Sequence, residues 1–282
     1  MYTHREEFHI DRMAKVLHVS LSGYYKWRNR LSAPLTEKEL EDLALKDEIF
    51  RLFCQSRGSL GGRRITARIN EQGNRRVNHK RVERIMREND LFSKTHRKFR
   101  CTTDSGHNYP VAENKLNREF YAERPNQKMV SDTTEIVTGE GKLYIAGILD
   151  LYGRMPVGFA ASIHNDRYLV MDALQDAITR GCVGKGCLLH SDRGSTYCCD
   201  DYRKMLKENG FECSMSRKGD CWDNAPMESF WGKLKTEWLQ PKYRTRAEAI
   251  RDIYEYVWSY YPYQRPHESN NYLTPYQYYS AA

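Results

Sequence analysis

At 282 residues and 33.2 kDa the chain can build one sizeable core with smaller attached modules, and its 29% charged and 40% apolar residues are ordinary for a globular protein. It has no run of about 18 apolar residues, and the N-terminus MYTHREEFHIDRM is too polar for a signal peptide, which argues against membrane insertion and secretion and for a cytoplasmic protein. The net charge of +8 is uneven: residues 1–125 hold 26 Lys and Arg against 17 Asp and Glu, residues 126–282 hold 19 against 20, and within 57–100 basic residues outnumber acidic ones 14 to 4. That imbalance suits a polyanion-binding module beside a near-neutral one, the bland alternative being a solvated basic face.

Residues 1–55 read as an N-terminal helical segment. In HIDRMAKVLHVSLSGYYKWRNR (9–30), Met13, Val16 and Leu17 share a helical face and Ser20 or Ser22 caps a second helix. A mixed-charge helix follows over 36–53, with Leu40, Leu43, Ile49 and Phe53 at helical spacing. Residues 56–104 read as a basic helix-turn-helix-like module. Ile65 and Ile69 are four apart and Gly73 is a C-cap; Asn78 then caps HKRVERIMREND, where Val82, Ile85 and Met86 form a narrow apolar stripe. Arg63, Arg64, Arg68, Lys80, Arg81, Arg84 and Arg87 crowd the other faces, and the basic run continues through Lys94, Arg97, Lys98 and Arg100. Two basic amphipathic helices across a tight turn suit contact with double-stranded DNA, although Arg and Lys commonly solvate helices too. Residues 105–125 are polar, with little periodicity before Leu116 and Phe120, and read as a linker.

From about 126 to 241 the period turns strand-like. KMVSDTTEIVT and KLYIAGILDLY form a hairpin across the glycine-rich turn GEGK, and MPVGFAASI is a third antiparallel strand. A helix over DRYLVMDALQDAITRG, the buried strand CLLHSD, a helix over YCCDDYRKMLKENG, the strand ECSMS, a polar loop and the helix DNAPMESFWGKLKTEW complete the order β-β-β-α-β-α-β-α. This is an α/β core with a mixed sheet covered by helices, the ribonuclease H-like order. Residues 242–282 form a C-terminal helical tail rich in aromatics. Tyr254, Tyr256, Trp258, Tyr260 and Tyr261, with Arg265 and His267 nearby, pack on the core or stack on DNA.

Three acids stand where this order can converge them: Asp132 in the first strand, Asp192 at the end of the fourth and Glu228 early in the last core helix. The gaps between them hold 59 and 35 residues. Three carboxylates without a His or Cys ligand suit Mg²⁺ or Mn²⁺, and two ions about 3.5–4 Å apart can activate a water or a 3′-hydroxyl and stabilise the leaving oxygen. Spacing alone does not separate this site from surface carboxylates; placement in the fold favours the site and leaves surface carboxylates as the alternative. Asp150, Asp220 and Asp223 are bystander acids, with a turn-capping role favoured for Asp150. The eight cysteines include no CxxC pair and the histidines are scattered, so no zinc is expected and reduced thiols filling small core positions are the better account.

The phrases VSDTTEI, YIAGILDLYGRMPVGFAAS, LLHSDRGSTY, DNAPMESFWGKLKTEW and YYPYQRPHESNNYLTPYQY resemble the integrase-core transposases of the insertion-sequence-three family, specifically its orfB product, over nearly the whole chain. That resemblance implies a DDE transposase whose catalytic and metal-binding triad is Asp132, Asp192 and Glu228, acting on insertion-sequence ends by Mg²⁺-dependent cleavage and strand transfer. It implies a DNA contact at Lys235, seven residues after Glu228 and on the same helical face about 10 Å away. Arg193 and Asn224 are further DNA-contact candidates, with helix capping the alternative for Asn224. A homo-oligomer on DNA and an upstream-frame DNA-binding protein, or a fusion with it, are the implied partners. The chain departs from the family at Val130, where an aromatic is usual, and at the GGRR run, usually Gly-Tyr-Arg-Arg-like. The rival readings are a metal nuclease of the same fold that only hydrolyses, and a DNA-binding regulator with a silent core.

Overall fold

The computed structural model describes residues 1–73, 76–94, 110–182, 185–218 and 220–281. Arg97, Lys98 and Arg100 of the expected basic run lie outside the described residues. The chain divides into two units, Met1–Glu48 and Ile49–Ala282, with the boundary inside the third helix.

The first unit holds α1 (Ile10–Val16), α2 (Leu21–Ser32) and the start of α3 (Glu37–Gln55). Ser20 caps α2 by accepting from the Gly23 amide at 3.1 Å, as expected. The expected apolar face of the first helix is not buried: Val16 is 76% and Leu17 56% exposed, and Ala14 is the buried residue of α1. The helix has only seven residues and the chain turns away at His18 in the left-handed region (φ 52°), too short a span to bury a stripe. On α3 the buried face is Leu45, Ile49 and Leu52, whereas Leu40 and Leu43 are exposed. Both sets have helical spacing, and only packing separates them.

The second unit opens with α4 (Gly62–Gln72) and α5 (His79–Glu88). Ile65, Ile69, Val82, Ile85 and Met86 are buried, and the Asn78 side chain accepts from the Lys80 amide at 2.9 Å. The stretch expected as a linker is, from 110 on, a strap on the core. Leu116 and Ala122 are buried, and the amides of Lys115 and Leu116 donate to Ser214 Oγ at 3.0 and 3.2 Å. So few anchors leave no periodic signal.

A five-stranded sheet follows: β1 (Lys128–Thr138), β2 (Gly141–Asp150), β3 (Met155–Ser162), β4 (Cys187–Ser191) and β5 (Phe211–Met215), in the order β3-β2-β1-β4-β5. The first three strands are antiparallel; β4 and β5 run parallel to β1 and to each other. The turn into β2 needs a backbone that L side chains avoid, and Gly141 supplies it at φ 105°. One face carries α6 (Arg167–Thr179), α7 (Ser195–Cys198) and α8 (Asp200–Glu208); a break at Cys199 divides the single helix expected there. The other face carries α9 (Ala225–Lys233) and α10 (Arg246–Glu255), which packs together with α11 (Tyr261–Tyr263). The tail ends in α12 (Pro275–Tyr279), closed by a capping box between Thr274 and Gln277.

The C-terminal aromatics pack on the core. Tyr256, Tyr260 and Tyr261 are buried, and Tyr260 stacks on Trp238 with ring centroids 4.5 Å apart. Asp150 holds a turn: its carboxylate accepts from the amides of Asn126 (2.7 Å) and Tyr152 (2.8 Å), and burial pushes its pKa up to about 6. Among the described residues no helix is long and apolar enough to cross a membrane.

Candidate active site

The register of the sheet brings the first two acids together. β1 pairs with β4 at Lys128–Leu188, Met129–Leu189 and Val130–His190, so two residues further on Asp132 comes level with Asp192 on the neighbouring strand. Adjacent strands lie about 4.8 Å apart. Each carboxylate therefore sits in the other's field, and this shows in Asp132. Its pKa is driven well above the ordinary range, first by burial and next by Asp192, and the Thr133 amide only partly offsets the rise.

The side of the sheet is set by glycine. Asp132 lies opposite Gly147 in the β1–β2 ladder, and cross-strand partners project to the same face. A Cβ at Gly147 would stand 2.8 Å from the Trp231 indole and 3.4 Å from the Met227 methyl, so α9 rests directly on that face. Glu228 lies between these two contacts on α9, half-buried, with its pKa raised by burial.

Glu228 and the aspartates are not equivalent. Its charge contributes to the raised pKa of Asp132, yet its own shift has burial as the sole cause. Among the described residues no three His, Cys, Asp or Glu side chains are gathered tightly enough to hold one ion as they stand. The arrangement is thus a close Asp132–Asp192 pair with Glu228 facing it from the overlying helix. The donor set itself fits a hard divalent cation: carboxylate oxygens only, in a setting where mutual repulsion raises the cost of leaving them uncompensated.

Neighbours that the spacing did not reveal hold this geometry. Asn224 Nδ2 donates to the Ser131 carbonyl at 3.0 Å, tying the start of α9 to the residue before Asp132. It makes no side-chain cap, so the capping role is not what the structure shows; its side chain instead ties strand to helix. On the other face of β1 the Ser131 hydroxyl and the Tyr197 phenol are hydrogen-bonded at 3.0 Å. His190, two residues before Asp192, bonds Ser214 Oγ at 2.8 Å and Ser216 Oγ at 3.1 Å, latching β4 to the end of β5. Burial lowers its pKa to about 4, so the imidazole is neutral. The Asp192 carboxylate accepts from the Gly194 amide at 2.8 Å, and Arg193 Nε donates to the Ser216 carbonyl. Asp223 is fully buried and accepts from Asn114, Arg118 and Arg217, an ion-paired anchor.

Lys235 stands near the acids but not on a plain α-helix. α9 gives way to a π-helical turn over Leu234–Trp238, closed by the Leu239 amide on the Leu234 carbonyl at 3.1 Å. The two-turn spacing expected from Glu228 therefore ends in a wider turn, a feature that recurs at functional sites. Lys235 is half-buried, its pKa lowered by burial and partly restored by Glu135 and Asp132.

The basic candidates on α4 and α5 divide. Arg63 and Lys80 are exposed, and Arg81 is half-buried. Arg84 is exposed and pairs with Glu88 at 2.9 Å. Arg64 and Arg68 do not present themselves outward as expected. Arg64 turns inward to Glu237 at 3.5 Å and Arg68 pairs with Glu71 at 2.7 Å, because on α4 these positions flank the buried stripe.

Families described as Integrase core domain match residues 122–221 and 209–275, and one described as HTH-like domain matches residues 39–99. The fold is therefore the ribonuclease H-like integrase catalytic core, the scaffold of polynucleotidyl transferases. Whole-chain relatives narrow this further. The chain is 42% identical over 264 residues to the insertion element IS600 uncharacterized 31 kDa protein of Shigella sonnei, covering 93% of this chain and 96% of that one. It is 35% identical over 276 residues to the transposase InsF for insertion sequence IS3A of Escherichia coli K12, covering 98% and 95%. The chain belongs to the IS3 family of transposases. Solved structures with a weaker likeness include the HTLV-2 integrase catalytic core domain in complex with magnesium, at 13% identity and TM-score 0.43, covering 56% of this chain and 99% of that one. Another is a simian T-cell lymphotropic virus intasome in complex with PP2A regulatory subunit B56 gamma, at 12% identity and TM-score 0.48, covering 76% and 70%.

Proposed function

We propose that Asp132, Asp192 and Glu228 are the catalytic triad of this transposase and hold a pair of divalent cations, Mg²⁺ with Mn²⁺ as substitute, shared among the three carboxylates. The observation that carries this reading is the level placement of Asp132 and Asp192 on adjacent parallel strands, with Glu228 above the same face. Bound ions would supply an activated oxygen nucleophile and stabilise the departing one. The carboxylates fix where the charge sits, and the sheet, through the Ser131 and Asn224 ties, keeps the pair aligned. Glu228 approaches from a helix whose height the glycine face sets, so its side chain would complete the set of carboxylates around a bound ion.

The chemistry runs in two balanced steps. A water oxygen attacks the phosphorus at the element's end, the bridging bond breaks, and a 3′-hydroxyl is left. That hydroxyl oxygen then attacks a target phosphorus and gives up its proton to solvent, and the target strand's 3′-oxygen leaves as a free hydroxyl. The protein supplies no covalent nucleophile at either step. Lys235, beside Asp132, would grip a phosphate of the end DNA, and Arg193 adjoins the acids on the other side. Arg63, Lys80, Arg81 and Arg84 would lead the duplex across α4 and α5, while Arg64 and Arg68 serve this surface from within. Acting on two element ends calls for a homo-oligomer on DNA, with the upstream-frame DNA-binding protein as a further partner in the cytoplasm.

Replacing Mg²⁺ by Fe²⁺ in the full chain with ascorbate tests the ligand set without relying on turnover. Backbone scission should cluster near 132, 192 and 228 and vanish in Asp192→Asn. Scission elsewhere, or unchanged scission in the variant, would refute the assignment.

A further inference from the structure

Along α9 from Glu228 lies a cavity of about 500 Å³ that the triad does not line. Ser229 and Lys233, one helical turn apart, form one wall; Arg64 comes from α4; Arg265 and His267 come from the C-terminal tail; Ser269 stands at the mouth. That volume is many times the roughly 30 Å³ share of one water molecule, so it admits a group the size of a phosphate.

The charges around this cavity do not balance. Arg265 and Glu237 are both buried and joined by two hydrogen bonds of 2.6 Å each. Arg64 leans on the same Glu237 at 3.5 Å, so one carboxylate serves two guanidinium groups. Lys233 is left to an uncharged partner. Its Nζ lies 3.3 Å from His267 Nε2, and His267 Nδ1 lies 2.7 Å from Ser269 Oγ. When Lys233 is charged, its ammonium donates to Nε2 of a neutral imidazole, whose Nδ1–H then donates to Ser269. Among the described residues no carboxylate forms an ion pair with Lys233. The acid on the cavity lining is Glu268, which is exposed and whose charge acts on Arg64. Burial and the two arginines bring the Lys233 pKa down to about 7, and burial and Lys233 hold His267 neutral. Desolvated cations are costly without a counter-charge, and this cavity gathers three against one buried carboxylate.

We propose that this cavity seats a backbone phosphate of the substrate DNA, held by Lys233 and Arg64 with Ser229 and Ser269 as hydroxyl donors. DNA is favoured over a free anion by position. Ser229 follows Glu228 directly, and Lys233 stands five residues, about 7.5 Å of helix axis, further on. A strand bearing one phosphate per about 3.4 Å of axis would pass from the acids to the cavity within about two nucleotides. The inference rests on the reading that Glu228 faces the DNA. It assigns to Arg64 and Lys233 a contact distinct from that of Lys235, which lies on the side of Asp132.

Equilibrium binding of the full chain to a duplex oligonucleotide, in chelator and across a salt series, tests the proposal without catalysis. Lys233→Gln should lower the slope of log affinity against log salt by about 0.9, the loss of one phosphate contact, and Lys233→Arg should restore it. Ser229→Asp is the second variant and guards against misfolding. It hands Lys233 a counter-ion one turn away, so its melting temperature should hold or rise while the same slope is lost. An unchanged slope in Lys233→Gln or Ser229→Asp overturns the proposal. So does inorganic phosphate that raises the melting temperature of the wild type but not of Lys233→Gln while the DNA slope stays put, because the cavity would then serve a free anion. Failure of the triad reading shows elsewhere, as an Asp192→Asn protein that still cleaves.

Discussion

The contact between Gly147 and Trp231 sets how close α9, and with it Glu228, comes to the aspartate pair. In Gly147→Ala the new Cβ would lie 2.8 Å from the indole ring. Carbon atoms rest at about 3.5–4.0 Å, so the helix must lift by about 0.7–1.2 Å unless the ring turns aside. Overpacking of this kind costs about 1–3 kcal/mol of stability. Glu228 stands three residues from Trp231 and must move with it, and a misplacement near 1 Å at a reacting centre costs about 100-fold in rate. The assay is Mg²⁺-dependent cleavage of a plasmid carrying the element's ends, run beside binding of the same ends in chelator. The expected result is a cleavage rate down about 100-fold, binding unchanged, and partial recovery in Gly147→Ala/Trp231→Phe, where the offending ring atoms are gone. Wild-type cleavage by Gly147→Ala, with the melting temperature lowered as expected, would refute the idea that this contact positions Glu228.

Three further outcomes follow from the same structure. Arg265→Met takes from the buried Glu237 carboxylate its two 2.6 Å hydrogen bonds and leaves it to Arg64 at 3.5 Å, and should cost about 3–5 kcal/mol in urea denaturation, whereas Arg265→Met with Glu237→Leu should recover most of it. Asp223 is held far below the ordinary carboxylate range, chiefly by its hydrogen bond from Arg217; a depressed acid gives stability that is present above about pH 4 and lost on acidification, so Asp223→Asn should flatten the acid limb of the melting-temperature profile. Asp132 has the opposite sign. Its raised pKa makes the ionised form a burden that grows as pH rises, so Asp132→Asn should melt higher than wild type at neutral pH in chelator, the advantage shrinking on acidification, while cleavage is abolished.

Much of this was legible in the sequence because period and position agreed. Alternation through KMVSDTTEIVT and the short apolar run CLLHS each admit one strand, and the mixed topology then leaves few places where Asp132 and Asp192 can go. What could not be read was whatever depends on which of two equivalent faces is buried. Leu40 and Leu43 have the same spacing as Leu45, Ile49 and Leu52, and only tertiary packing tells them apart. Arg64 and Arg265 look like surface cations in sequence because Glu237, their shared partner, lies 173 and 28 residues away. The π-helical turn at Leu234 leaves no pattern at all, since a single wide turn moves the phase without changing the composition. Gly147 does carry a signal in the sequence: a glycine inside an otherwise apolar strand marks a close approach of another element, here Trp231.

The most direct test of the account is strand transfer from ends that already carry a free 3′-hydroxyl. With Mg²⁺, the wild-type chain should join such precut ends to target DNA, and Asp192→Asn should lose both joining and cleavage while binding the ends as before. Joining that survives in Asp192→Asn would contradict one shared acidic site for both steps; cleavage by the wild type without any joined product would reduce the enzyme to a nuclease.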